Sequence, residues 1–280
     1  LIWPPVALFA VEGDDVVARV GAVQRSVRTE GTPLSAIGVA DVVTRPDALG
    51  RGHAAALLER LHTEAGRGGF DLALLHTHVS WGAHRLYERL GYVDLVALPI
   101  ATRTVPPGRS LRLPSGYGTR PARRSDLAAL NRVISRATRT RLGVLPRPPG
   151  WLRLRLAAGF RKIEDHHLLV HHDRLVGFSH LTRDRWSSMT GEVIVDAPTH
   201  SAPMVALLER LSVGRQLAIA RSTFVTDAET LLLDRGYDLA PHTHSVLMGR
   251  ALRSGVPSGE ALRGSVFATP RYWGHHGDMF

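Results

Sequence analysis

Val42-Val43-Thr44-Arg45-Pro46-Asp47-Ala48-Leu49-Gly50-Arg51-Gly52-His53-Ala54-Ala55 runs from β-branched residues through a proline- and glycine-bearing turn into a helix-forming stretch. From His53 to Glu64 the spacing puts Ala56, Leu57, Leu58 and Leu61, with Ala65 beyond them, on one helical face. Strand, glycine turn, helix is an order with chemical meaning. Glycines carry no Cβ, so a ligand can approach the backbone, and the unsatisfied N–H groups of the first helical turn favour phosphate. The segment reads as an anion cradle. A Walker loop is excluded because no lysine follows the glycines, and a Rossmann fingerprint lacks its third glycine.

Before the cradle, Ala7–Val11 and Val16–Val27 read as a hairpin across Glu12-Gly13-Asp14-Asp15, and Ala36–Thr44 reads as a third strand. After it come a strand over Phe70–His78, a helix over Trp81–Leu90 ended by Gly91, and a strand over Tyr92–Ala97. Such alternation predicts an α/β fold with helices packed on a sheet. The Pro- and Gly-rich stretch from Val105 to Gly116 reads as a linker, beyond which the pattern restarts. A helix is expected over Leu127–Ala137, a hairpin from His167–His171 and Leu175–Leu181, and a strand over Gly191–Asp196. A helix over Pro203–Leu211, a strand over Leu217–Arg221, a helix over Ala228–Arg235 and strand-like sequence over Tyr237–Leu252 complete the second half. Ala56-Leu57-Leu58-Glu59-Arg60-Leu61 recurs identically at Ala206–Leu211, and Glu88-Arg89-Leu90-Gly91-Tyr92 is echoed by Leu233-Asp234-Arg235-Gly236-Tyr237. Two matches in the same order predict two diverged copies of one fold. The expected units are 1–105, 117–252 and a C-terminal tail, 253–280.

The 280 residues are 44% hydrophobic and 21% charged, enough for sizeable cores. No apolar run reaches membrane-helix length and the N-terminus lacks the pattern of a signal peptide, so a cytoplasmic protein without membrane partners is expected. There is no cysteine, hence no disulfide, thiolate metal site or cysteine nucleophile. The net charge of +10 comes from 35 basic residues, all arginine except Lys162. They are spread along the chain and aromatics are only 6%, which argues against a nucleic-acid partner and suits an anionic ligand. The 15 histidines include His76-Thr77-His78 and His242-Thr243-His244, yet neither pair has an evident third ligand, and no metal is expected.

A second segment, Ser80-Trp81-Gly82-Ala83-His84-Arg85-Leu86-Tyr87-Glu88-Arg89-Leu90-Gly91-Tyr92, gives the cradle a context. Together the two resemble motifs A and B of the GNAT-type N-acetyltransferases, and the tandem arrangement resembles the enhanced-intracellular-survival type and related bacterial tandem GNAT proteins. The resemblance implies two tandem GNAT-like domains, each a mixed central sheet flanked by helices. The first lacks the strand and two helices that usually precede the hairpin and wall the acceptor site. It implies an acetyl-CoA-dependent N-acetyltransferase, with acetyl-CoA as co-substrate. Val42, Val43 and Thr44 would offer backbone groups to the pantetheine arm, and Gly50, Arg51, Gly52, His53, Ala54 and Ala55 would hold the pyrophosphate. Ser80 and Ala83 would flank the cofactor, and Tyr87 would protonate the departing thiolate. Leu49 stands where the family usually has Arg or Gln, and Ser80 where it usually has Asn.

Without a cysteine, direct attack by an amine in a ternary complex is the natural scheme. The base is left open among Asp41 at the cofactor strand, His78, and the C-terminal carboxylate of Phe280, which enters the first domain's site in the survival-type proteins. The second copy has no glycine over Asp196–Pro203, and Leu232 stands in the place of Tyr87, so it is expected to be degenerate. The acceptor is a small-molecule or peptide amine of open identity, and the chain is compatible with a homo-oligomer. The alternative is a catalytically degenerate acyl-CoA-binding or scaffolding protein.

Overall fold

The computed structural model describes residues 6–98, 100–107, 112–143, 150–157, 159, 161–220, 228–239, 245–257 and 259–267. The expected hairpin forms from β1 (Val6–Glu12) and β2 (Asp15–Val27), and Gly13 supplies the left-handed φ of 61° at its turn. β3 (Leu34–Thr44), α1 (His53–Arg67), β4 (Leu72–His78), α2 (Gly82–Arg89) and β5 (Val93–Leu98) follow in the expected order. The chain continues into β6 (Ile100–Thr104) and β7 (Tyr117–Pro121), α3 (Leu127–Thr138) and α4 (Trp151–Ala157). Then come β8 (His166–His171), β9 (Arg174–Arg183), β10 (Ser187–Val195), α5 (Ser201–Leu211), β11 (Gln216–Ala220) and α6 (Ala228–Asp234). β12 (Ser245–Ala251) and α7 (Gly259–Leu262) end the described chain with a π-helical turn, Arg263–Phe267. The repeat is visible in space: α1 and α5, which share the hexamer, each follow the last strand of their half's antiparallel meander, β3 and β10.

The strands form two six-stranded mixed sheets, ordered β1-β2-β3-β4-β12-β5 and β6-β11-β10-β9-β8-β7. Sheet membership does not follow the halves of the sequence. β12, from the second half, lies between β4 and β5, pairing antiparallel with both; β6, from the first half, closes the second sheet against β11. Only Pro99, which has no N–H to give to a ladder, separates β5 from β6 in sequence. Val246, Leu247 and Met248 of β12 are buried, as is Ala101 of β6, so each sheet's core includes side chains from the other half. Burying each large side chain contributes roughly 1.5–3 kcal/mol.

Both exchanged strands carry an arginine at the same register position. Arg250 lies opposite Ala73 and Arg103 opposite Leu217, each one residue beyond the first parallel pair of its sheet. Arg250 donates to the Leu90 carbonyl at 2.6 Å and to Nδ1 of His62 on α1 at 2.9 Å. Arg103 donates to Glu209 on α5 at 2.9 Å and lies 5.8 Å from the Tyr237 ring centroid. A guanidinium only donates, so Nδ1 of His62 accepts, and its Nε2–H is directed to the Tyr92 hydroxyl at 2.7 Å. The second half also reaches the first through Arg28, which donates to the carbonyls of Thr138, Arg139 and Arg141 while its own carbonyl receives the Gly143 N–H. Leu142 is thereby buried in one cluster with Val27 and Leu72, joined by Leu262 and Phe267 from the chain's last described turns.

Because each sheet needs a strand from the other half, thermal unfolding followed by calorimetry is expected to show a single cooperative transition; two separable transitions would contradict the exchange. The buried imidazoles set a second expectation. Burial, then Arg250, pushes His62 down to about 4; burial, then Arg161, pushes His180 down to about 3. Both are neutral when folded and regain a value near 6.5 on unfolding, so below pH 6.5 the unfolded chain binds more protons. Stability is expected to fall between pH 6.5 and about 4, at up to about 1.4 kcal/mol per pH unit for each imidazole. Urea midpoints across that range check it, and a flat profile would contradict it.

Candidate active site

β3 and β4 pair in parallel only from Ala36↔Leu72 to Gly38↔Leu74. Beyond this point they separate. The partner ladder bends at the same place: between Gly21↔Ala40 and Arg19↔Val43 the register of β2 and β3 shifts, and Asp41 takes a left-handed φ of 50°. A bulge turns its strand and leaves backbone groups outside the ladder, which is why bulges recur beside binding sites. The gap between the strands is a groove of about 460 Å3. Asp41 and Val42 of β3, His76 and Thr77 of β4, Trp81, Ala83 and Tyr87 at α2, and Arg155 from α4 are among the residues lining it.

The turn after β3 has the geometry its glycines forecast. Gly50 and Gly52 hold φ of 78° and 85°, and a Cβ on either would meet nothing within 4 Å, so both border open space. Gly52 is the N-cap of α1, and the first helical bond runs from Ala56 N–H to its carbonyl at 3.0 Å. The N–H groups of His53, Ala54 and Ala55 precede that bond, and no acidic residue stands in the first turn. This is a backbone surface suited to phosphate. One carboxylate faces it from the hairpin: Glu12 accepts from Arg51 at 2.9 Å and lies 3.0 Å from Nε2 of His53. Leu49 is exposed beside the turn; Val43 is exposed and Thr44 half-buried on the strand leading into it.

On α2, Tyr87 is 6% exposed and meets Tyr92 edge-on at 5.8 Å. Burial pushes its phenol up to about 12, so it remains protonated at neutral pH. Ser80 sits 2.7 Å from Nδ1 of His78, whose ring packs against Trp81 at 6.0 Å. His78 is therefore engaged at the start of α2, and its strand neighbours His76 and Thr77 line the groove. Asp41 lies in the groove with its carboxylate 3.2 Å from Arg19. Phe280 falls outside the described residues, as do His242 and His244. Among the described residues no three His, Asp or Glu side chains gather as a metal site, and no helix is long and apolar enough to cross a membrane.

Sequence reading alone did not find His76, Thr77, Trp81 or Arg155. Strand alternation across His76-Thr77-His78 could have singled out the first two. Nothing local marks Arg155, which arrives from the other half of the chain.

In the second sheet β10 and β11 likewise pair only from Ser187↔Gln216 to Met189↔Ala218. The following helix start is closed over. His200, Ser201 and Pro203 are buried, and His200 is bonded to Tyr117 at 2.8 Å. Asp196, with its side chain 1% exposed, accepts from Arg136 at 2.8 Å and Arg174 at 2.7 Å. Leu232, in the place of Tyr87, is fully buried.

With the geometry in view, residues 6–93 match the family model described as acetyltransferase (GNAT) domain. Comparison with curated proteins returns no match. Among solved structures, the chain resembles a GCN5-related N-acetyltransferase from Kribbella flavida, at 20% identity and a TM-score of 0.63 over 88% of this chain and 59% of that one. It resembles a probable N-acyltransferase from Enterococcus faecalis at 14% identity and a TM-score of 0.67, over 88% of this chain and 62% of that one. Eis1 from Mycobacterium abscessus aligns at 16% identity with a TM-score of 0.59, over 89% of this chain and 65% of that one. The chain thus spans about three fifths of the length of the first of these proteins. Residues 6–93 thus match a GNAT acetyltransferase domain model, and the chain has the fold of the GCN5-related N-acetyltransferase structures it aligns with.

Proposed function

We propose that the chain is an acetyl-CoA-dependent N-acetyltransferase that works in its first sheet, with the second copy serving as a structural partner and groove wall. The observation that carries this reading is a continuous path. An open helix N-terminus with two left-handed glycines leads along the diverging strand to a groove holding a buried, protonated tyrosine. The residues fit the cofactor: the α1 start offers N–H donors where a pyrophosphate needs them, and Val42 to Thr44 run from there to the groove. The same start in the second copy is filled by its own side chains, which supports assigning it a scaffold role.

Bound acetyl-CoA supplies an activated thioester. The chain's part is to place an amine so that its nitrogen bonds to the acetyl carbon as the carbon–sulfur bond breaks. Bulge amides near Asp41 and Val42 are suited to polarise the carbonyl oxygen. Tyr87 gives its proton to the departing sulfur and is reprotonated from solvent. Asp41 is the carboxylate among the described lining residues, and we assign it to take the proton that the amine loses.

Isothermal titration of the chain with acetyl-CoA is expected to show roughly micromolar binding, lost in Gly52→Glu, where the new carboxylate enters the cradle. Equal binding by both proteins would refute the cradle. Tyr87→Phe is expected to lower kcat by about 10²-fold while acetyl-CoA affinity stays within a factor of two. Binding without turnover in the unsubstituted chain would instead favour the scaffolding alternative. Glu12→Gln removes the carboxylate that faces the cradle and releases Arg51, so acetyl-CoA affinity is expected to rise several-fold, an effect that shrinks in high salt. Weaker binding in that variant would show that Glu12 organises the cradle.

A further inference from the structure

The repeat allows one corner of the fold to be compared in its two copies. In the second copy Glu209 on α5 is 2% exposed and held between two guanidiniums, Arg103 of the exchanged strand β6 at 2.9 Å and Arg235, just after α6, at 2.6 Å. That corner is shut by its own ion pairs. In the first copy the repeated hexamer puts Glu59 in the place of Glu209, and register puts Arg250 in the place of Arg103. Here the carboxylate has swung away. Glu59 is exposed, and both hydrogen bonds of Arg250 leave from Nη1, to the Leu90 carbonyl at 2.6 Å and to Nδ1 of His62 at 2.9 Å. What remains is a cleft of about 650 Å3, whose lining includes Glu59, His62, Arg89, Gly91 and Arg250. It shares none of its described lining residues with the groove at Asp41 and Tyr87.

We propose that this cleft binds a small ligand bearing a carboxylate or phosphate, its oxyanion taking the place that Glu209 fills in the second copy. Arg250 is prepared for it. A guanidinium has five donors, and with Nη1 engaged the Nε and Nη2 side is left for a bidentate oxyanion. Leu90 and His62 hold the head and the β12 ladder holds the backbone, so little freedom is lost when a ligand docks. Gly91, at a left-handed φ of 80°, keeps that side uncovered, since a Cβ there would come within 3.9 Å of Nε. Arg89 adds a second charge: it is exposed, lines the cleft, and among the described residues its guanidinium has no ion pair or hydrogen bond. Two features oppose an anion. The negative end of the α2 dipole points here, but Arg250 caps its Leu90 carbonyl. Glu59 borders the same cleft, yet it is exposed and screened by water. A cleft of this size suits a small molecule, and the site does not depend on the chemistry performed in the groove.

The test titrates the isotope-labelled full chain with malonate and with inorganic phosphate, at an ionic strength held constant with sodium chloride, and follows backbone amide shifts. Saturable shifts are expected over residues 59–63, 89–92 and 250–252, with a Kd of about 1 mM or tighter for at least one of the two ions. Which ion saturates separates carboxylate from phosphate. Arg89→Ala, at an exposed position, is expected to keep the folded spectrum and to weaken binding about fivefold or more, with Arg89→Lys restoring part of the affinity. Glu59→Gln is expected to tighten binding about two- to threefold. Phosphate at the α1 start would shift residues 50–55 instead, and those shifts are indifferent to Arg89→Ala, so the cofactor cradle and this cleft succeed or fail separately. Shifts that grow linearly and spread over exposed arginines would mean an adventitious ion only and overturn the proposal. Saturation at residues 59–63 and 89–92 that survives Arg89→Ala unchanged, or no shift there with either ion, would overturn it as well.

Discussion

Everything about this chain depends on the exchange of its terminal strands. β12 fills the space between β4 and β5, β6 closes the edge of β11, and Arg250 and Arg103 fasten them to the opposite copy at equivalent register positions. Each arginine is tied to the helix that carries the repeated hexamer, α1 or α5, and each lies by the tyrosine that ends its repeat motif, Tyr92 or Tyr237. A sheet lacking its donated strand would expose the leucines of β4, whose Leu72, Leu74 and Leu75 are buried. The two copies are therefore one folding unit, and a helix of the second can stand as a wall over the first without an independent docking interface.

That arrangement lets the helix starts of the two copies diverge while the sheets stay joined. The two sheets part at the same place, three residue pairs into their parallel ladders. What differs is the helix start beyond. In the first copy left-handed glycines keep it open; in the second Asp196, with Arg136, Arg174 and the Tyr117–His200 contact, occupies the neighbourhood. Glu12 shows that even the open start is electrostatically tuned, since it holds Arg51 and faces His53 across the cradle.

Local periodicity made most elements legible in the sequence. The α1 stripe, the hairpin at Gly13 and the repeated hexamer are all short-range signals, and Gly50 and Gly52 stood out because left-handed backbone is cheap only for glycine. Partner choice was not legible. β6 and β12 present similar hydrophobic patterns whichever sheet receives them; within the strand-like stretch Tyr237–Leu252, the described residues give an isolated bridge from Asp238 to Thr102 and β12 at Ser245–Ala251. Asp41 was singled out as a carboxylate at the cofactor strand, but the bulge that turns it depends on the register of β2. Arg155 had no signal, because its placement follows from the packing of α4 against a groove made by distant residues.

Amide hydrogen exchange with and without acetyl-CoA measures most directly whether the open helix start of the first copy is the cofactor's seat. Slower exchange is expected over residues 41–44 and 50–55, with the equivalent helix start at 200–205 unchanged. Protection confined to the second copy, or none at residues 50–55 at saturating acetyl-CoA, would contradict it.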